Sequence, residues 1–500
     1  MHDKRTHAQS ANLRPTLVFQ RLFTMVTLFR RMGDGFGSIY CHRRKLPLTW
    51  GWLAFLAVFA MPWVNFSFLS PSRSYPGHGK MHRNFSRPGM GHQVSLTDSE
   101  NLDVKEITLD RDVQLYLDGS FQSKYRAFER TYRVFEYRER VDFHKTFLRV
   151  QKETDYLPLK WRAKLKLPRP VQENGQYGLE VWFPRWLKHS NFFTVDPEEA
   201  TSFYLSFSCT SLKNTQIKRV PGQVMTQVYV QSYVDIISSK YSFWNRTFGS
   251  DHFYLCVHDM GTECTLLADM HVKTNSIAIV NTADFDGADA RGQVWNNVFQ
   301  DQKHVQFSPL KDISSVPFLL NRSFTPTHKD FETCKYLLMF VGVFEGRAAR
   351  EQFFKDVASS NYSDVLVGSR LYGDEYVSAF GRARFCLVIR GLTVWTKRLA
   401  EVFLYGCIPV IVADTYSPPL SRVLNWTQFA IFVKEKDVHR IREKLLAIDA
   451  MQWGNMQRNL LQVRKHFVYN DPPRPHDAFH MILYQLWFQH RVFLGTRSKF

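Results

Sequence analysis

Over most of its second half the chain carries its apolar residues in short continuous runs separated by helix-length stretches, without strand-like alternation. Runs at 203–207 (FYLSF), 253–257 (FYLCV) and 276–280 (SIAIV) accompany a helical stretch at 224–239. A second series begins at 336–342 (YLLMFVG) and continues through a helix at 347–357, DVLVG at 364–368, FCLVI at 385–389, a helix at 395–405, IPVIVA at 408–413 and FAIFV at 429–433. Uninterrupted runs of this length between helices predict parallel strands covered on both faces. Two such series, joined near 310–335 around Pro309, Pro317 and Pro326, predict two doubly wound α/β domains facing a cleft. Ligands of such folds sit at the carboxyl ends of the strands, so the chemistry is sought in the loops that follow them. The stretch 110–170 is basic and aromatic, reads as helical, and has no place in either series.

The amino-terminal pattern is different. No charge occurs between Lys45 and Arg73, and Leu48 to Leu69 is a 22-residue apolar stretch with Trp50, Trp52 and Trp63 near its ends. Its length suits a hydrocarbon core of roughly 30 Å. A membrane anchor is expected at 46–69. Nine Lys and Arg residues against Asp3 and Asp34 leave +7 on residues 1–45, and Arg43, Arg44 and Lys45 abut the apolar stretch. The positive-inside rule then predicts a cytoplasmic tail (1–45), a Ser, Pro and Gly-rich stem (70–110), and a body on the lumenal side. That body divides into 111–325, with the basic aromatic lead-in, and 326–490.

Composition narrows the picture. With 500 residues, 44% hydrophobic and 22% charged, the chain is neither a disulfide-stapled module nor disordered. Its net charge of +19 calls for an anionic partner, and the +12 left on the lumenal side excludes nucleic acid by location. Sequons at Asn84, Asn245, Asn321, Asn361 and Asn425 follow the apolar stretch, as N-glycosylation requires. Cys209, Cys256, Cys264, Cys334, Cys386 and Cys407 lie on the same side. Up to three disulfides are possible, their pairing is open, and Cys386 and Cys407 serve equally well as small core residues. No CxxC pair suggests structural zinc.

The richest stretch is FCLVIRGLTVWTKRLAEVFLYGCIPVIVAD, 385–414. A buried strand runs into Arg390 and Gly391, then a loop, then a helix with Lys397, Arg398 and Glu401. Such a turn suits a diphosphate, since backbone N–H groups, the helix dipole and a guanidinium all favour anions there, while Glu401 is placed to accept from ribose hydroxyls. The same residues also suit a plain strand and helix with surface ion pairs. Asp284-Phe-Asp286 is formally a DxD, but it sits in a Gly-containing loop, and a three-residue pattern recurs by chance; no metal site is expected.

This stretch, with PPLSRVLNWTQFAIFV after it, resembles the exostosin-type family of Golgi glycosyltransferases. Further matches stand in the same order: YGLEVWFPRWLKHSNFFTVDPEEATSFYL at 177–205, FWNRTFGSDHFYLCVHDMG at 243–261, MFVGVFEGRAAREQF at 339–353 and HFVYNDPPRPHDAFHMIL at 466–483. Met260 stands where the family usually has Trp. The family's opening strand is not recognisable, and residues 120–170 have no obvious counterpart.

The resemblance implies a GT-B fold of two Rossmann-like domains, 111–325 for the acceptor and 326–490 for the nucleotide sugar, in Golgi membranes, with inverting transfer from a nucleotide-diphosphate sugar (a UDP-sugar is expected) to a glycan hydroxyl, and no cofactor or DxD-bound metal. Carried onto this chain, Arg390, Gly391, Lys397 and Arg398 with Arg347 or Arg350 line the diphosphate, and Glu401 the ribose. Inversion also needs a base; Asp259 or His258, following the strand at 253–257, are the candidates, with Glu180 a third. The alternative is a non-catalytic relative that binds a partner transferase or an anionic glycan; a partner glycosyltransferase or a homodimer is possible under either reading.

Overall fold

The apolar runs form two parallel sheets. The first contains β1 (Val134–Glu136), β2 (Phe193–Thr194), β3 (Ser202–Tyr204), β4 (His252–Cys256), β5 (Ile277–Val280) and β6 (Ile313–Ser314), in the order β2-β1-β3-β4-β5-β6. The second contains β7 (Tyr336–Val341), β8 (Val365–Gly368), β9 (Ala383–Ile389), β10 (Ile408–Val412) and β11 (Ile431–Phe432), in the order β11-β10-β9-β7-β8. Every strand pairing within the two sheets is parallel. The interior strands β4, β5 and β10 are buried at every position, whereas the edge strand β8 is half-buried throughout, as helix-covered parallel sheets require. The computed structural model describes residues 115–141, 170–213, 222–259, 261–265, 270–285, 307–321, 324, 329–344 and 348–497, all in the compact unit Asp98–Phe500. The expected tail, the anchor at 46–69 and the whole stem at 70–110 lie outside them. Among the described residues no helix is long and apolar enough to cross a membrane.

The stretch 110–170 needs correction. Helix α1 (Phe121–Thr131) occupies its start, but β1 follows and lies inside the first sheet, with Val134 in register with Phe193 on one side and Ser202 on the other. As far as residue 141, the part that had no counterpart therefore contributes to the core: Tyr132, Val134 and Tyr137 are buried. At two or three residues, β1, β2 and β6 are too short to show a period of their own.

Helix α2 (Leu179–Lys188) carries Glu180. It starts at Gly178, where an added Cβ would stand 2.2 Å from the Glu173 carbonyl oxygen and 2.7 Å from the Phe318 ring. Helices α3 (Gly222–Lys240), α4 (Ala348–Asp356), α5 (Gly373–Gly381) and α6 (Arg398–Leu404) follow. The last helix, α7 (Ala478–Arg497), returns to the first sheet: Tyr484 packs on Phe121 and Phe128, Phe479 on Phe183, and Trp487 Nε1 donates to Thr131 Oγ1 at 3.0 Å. In exchange, Leu117 N donates to Val423 O and Asn425 N to Leu115 O, each across to the second sheet's side. Segment 326–490 thus does not close on itself.

Cysteine pairing, open in the sequence, is Cys209–Cys256 and Cys386–Cys407, while Cys334 is free and buried. The second pair joins two neighbouring strands, since Cys386 of β9 lies beside Pro409 of β10 and Cys407 precedes it.

Candidate active site

The three base candidates converge on the end of β4. Glu180 reaches from the first turn of α2 into a buried position, where Ser208 Oγ (2.5 Å) and Thr210 N (3.0 Å) donate to Oε2, and Thr210 Oγ1 (2.8 Å) and Val257 N (3.2 Å) to Oε1. Burial pushes its carboxyl up to about 7 against the pull of those donors. With both oxygens taken by protein donors, Glu180 acts as a tie holding α2 to the strand ends. Its side also lines a cavity of about 370 Å³ with Val181, Pro184, Ser208 and Ser211.

His258 and Asp259 follow directly. The His258 ring is stacked on Tyr177 at 4.6 Å, and Lys213 Nζ donates to its Nε2 at 3.3 Å. An ammonium only donates, so Nε2 is the acceptor and would lose this partner on taking up a proton. Asp259 points the other way: its Oδ1 accepts from Trp395 Nε1 at 3.1 Å, in the loop after β9, and the Tyr177 hydroxyl also bonds to it. Of the three, Asp259 is the one whose carboxylate meets the second sheet.

In the second sheet the Arg390–Lys397 loop leaves β9. Arg390 Nη1 lies 3.4 Å from Glu435 Oε1. Helix α6 begins at Arg398 and not at Trp395 as its apolar pattern suggested. Its first N–H groups already have acceptors: Arg398 N reaches Thr396 Oγ1, Leu399 N reaches Thr396 O, and Ala400 N and Glu401 N reach Lys397 O. An anion here is therefore met by side-chain cations more than by the expected backbone cradle.

Arg398 supplies one. One guanidinium nitrogen donates to Val341 O at the end of β7, its Cζ lies 5.2 Å from the Phe340 ring and 5.8 Å from Tyr376, and Nη1 is buried with no hydrogen-bond partner. Such a donor costs about 1–3 kcal/mol if it stays unpaired, which marks a place for an acceptor. Glu401, one turn on, accepts from the Tyr376 hydroxyl at 2.6 Å. Lys397 stands half-exposed at the head of the helix.

Arg350 is placed otherwise. Its guanidinium donates to Val343 O (3.1 Å), Ile389 O (3.3 Å) and Arg390 O (3.1 Å), joining the loops after β7 and β9. A Cβ at Gly391 would approach Arg350 Nη2 to 3.2 Å, so Gly391 lets this clamp close. Arg347 lies outside the described residues, as does Asp286. Asp284 is fully buried in a strap between the sheets, where Phe285 N donates to Thr415 O at 3.1 Å and Ser417 N to Ala283 O at 2.9 Å.

Sequence reasoning missed Tyr177, Tyr376 and Trp395. Trp395 was hidden because it reads as the apolar start of a helix, though its place five residues after an Arg-Gly strand end was a usable signal. The WNR and DHF matches hold core: Asp251 accepts from Thr247 Oγ1, Arg246 and His252, and His252 is fully buried against Tyr137.

A model of the Exostosin GT47 domain matches residues 129–448. A "Probable glycosyltransferase" of Arabidopsis thaliana is 28% identical over 353 residues, covering 69% of this chain and 64% of that protein. A second "Probable glycosyltransferase" of the same plant is 25% identical over 423 residues, covering 82% and 84%. The "Probable beta-1,4-xylosyltransferase IRX10", also of Arabidopsis thaliana, is 28% identical over 341 residues, covering 65% and 79%. The chain thus spans just under two thirds of the first of these relatives. Among solved structures, the apo lipopolysaccharide outer core galactosyltransferase WaaB matches with a TM-score of 0.31 and 10% identity, over 63% of this chain and 95% of that one.

Proposed function

The chain belongs to the Exostosin GT47 family, and from that premise we propose that it is a glycosyltransferase of GT-B architecture that moves a sugar from a nucleotide-diphosphate donor, a UDP-sugar, to a glycan hydroxyl with inversion. We propose further that it works as a type II protein of Golgi membranes, without a metal or other cofactor.

The observation that carries the reading is the buried, unpartnered Nη1 of Arg398 one helical turn before Glu401 beyond the strand ends of one sheet, with Asp259, from the strand end of the other, bonded to Trp395 three residues before Arg398. A departing diphosphate needs positive charge in place before the bond breaks. Arg398, Arg390 and Lys397 supply it. Glu401 accepts from the ribose hydroxyls. Asp259 takes the proton of the acceptor hydroxyl as its oxygen attacks the anomeric carbon from the face opposite the leaving diphosphate. Glu180 and His258 keep the Asp259 loop in place.

The test is a panel of nucleotide sugars offered to the full-length chain in detergent, scored by thermal shift and by release of the nucleoside diphosphate. Stabilisation by one UDP-sugar, with UDP release that depends on a glycan acceptor, is expected. Stabilisation by none overturns the reading in favour of a non-catalytic subunit that binds a partner transferase or an anionic glycan.

A further inference from the structure

Three exposed apolar side chains stand after three neighbouring strands of the second sheet: Leu392 after β9, Val343 after β7 and Tyr372 after β8, exposed by 44%, 56% and 68%. Adjacent strands are ~4.8 Å apart, so this row runs about 10 Å along the carboxyl edge. It is continuous with the polar site. Arg398 crosses from α6 to the end of β7, and Tyr376, whose hydroxyl holds Glu401, lies in α5 only four residues after Tyr372.

The order of groups along this edge limits where each part of a donor can lie. The sugar to be transferred must sit by Asp259 and Trp395, on the β9 side, and the diphosphate by Arg398. The nucleoside then extends away from Asp259, past Glu401 and toward β8. Tyr372 waits there, with the Arg370 guanidinium 5.6 Å from its ring. The space beside it is open: a Cβ at Gly368 or Gly373 would meet nothing within 4 Å.

We infer that Tyr372 is the platform on which the nucleobase of the donor stacks, so that base, ribose, diphosphate and sugar lie in sequence from β8 to β9. This rests on the donor-binding reading above. An aromatic ring suits the occupant because a base offers a flat π-face and little charge, and stacking on such a ring accounts for a sizeable share of base binding.

The experiment is calorimetric titration of the full-length chain with two compounds, UDP and inorganic pyrophosphate, in wild type, Tyr372→Ala and Tyr372→Phe. Tyr372→Ala should bind UDP roughly 10- to 100-fold more weakly, Tyr372→Phe should stay within a few-fold of wild type, and pyrophosphate, which has no base, should bind all three alike. Unchanged UDP affinity in Tyr372→Ala overturns the platform and leaves the donor site standing. Equal weakening of UDP and pyrophosphate also overturns it, since that is a general effect on the site. A wild-type chain that binds neither compound removes the donor reading and the platform together.

Discussion

Asp259 Oδ1 accepts a hydrogen bond from Trp395 Nε1 at 3.1 Å, joining the end of β4 in one sheet to the loop after β9 in the other. The bond fixes one carboxylate oxygen and so orients the second. Asp259→Asn keeps an acceptor for Trp395 but cannot take a proton; kcat should fall by about 10²- to 10⁴-fold with folding intact. Trp395→Phe removes the N–H along with the second ring of the indole and should lower kcat by about 10-fold with little change in donor KM. Full turnover in Asp259→Asn would shift the role of base to His258.

Arg398 and Glu401 form the proposed donor half of the same site. Arg398→Lys keeps a charge but loses the fork that spans Val341 O and the open Nη1 position; UDP affinity should drop by roughly 10- to 100-fold. Glu401→Ala should abolish transfer while the thermal transition remains. Undiminished turnover with a nucleotide sugar would remove Glu401 from the site.

Glu180 is tested by stability. Each of its oxygens faces one backbone N–H, from Thr210 or Val257. In Glu180→Gln the amide nitrogen must face one of them whichever way it is turned, leaving a buried donor against a donor at a cost of about 1–3 kcal/mol. A melting temperature that falls by several degrees is expected; an unchanged one would show that the carboxylate is not the tie described.

Stability should also depend on pH through His466. The ring is fully buried, Nε2 bonds the Tyr116 hydroxyl and Nδ1 the His476 carbonyl, each at 2.7 Å, and burial pushes its pKa from 6.5 down to about 3. The unfolded chain therefore takes up the proton first. Stability present above about pH 6.5 is lost as pH falls toward about 3, at about 1.4 kcal/mol per unit. Glu180 has the opposite sign: its raised pKa makes its burial less costly as pH falls from about 7 to 4.5. Between about pH 7.5 and 5.5 the two groups oppose each other, so melting curves should rise relative to wild type in His466→Gln as the pH falls and drop relative to wild type in Glu180→Gln.

The proposed lumenal location predicts glycan occupancy by exposure. Asn361 is exposed in a left-handed turn at φ 53°, whereas Asn321 is half-buried with its amide 3.5 Å from Asn470 Oδ1. A glycosidase-sensitive mobility shift should be reduced by Asn361→Gln and not by Asn321→Gln. A chain from secretory membranes that shifts at no sequon would speak against the location.

Much of this protein is written locally. Apolar runs such as IPVIVA mark strands because a residue buried on both faces of a sheet must be apolar whichever way it points, and so the two parallel series, the loops after them and the placing of Arg390, Arg398, Glu401 and Asp259 beyond the strand ends were legible in one dimension. What only the tertiary structure decided are matters of pairing between distant segments. β1 at 134–136 is a strand because Phe193 and Ser202 flank it, and three residues carry no period of their own. Cys209 and Cys386 chose Cys256 and Cys407, and α7 folded back onto Phe121 and Phe128 because its aromatic face found no cover nearer in sequence. The roles within the site divided in the same way. Arg350 and Arg398 are alike as letters, yet three carbonyls accept from one and a single carbonyl beside the other leaves a buried N–H unpaired.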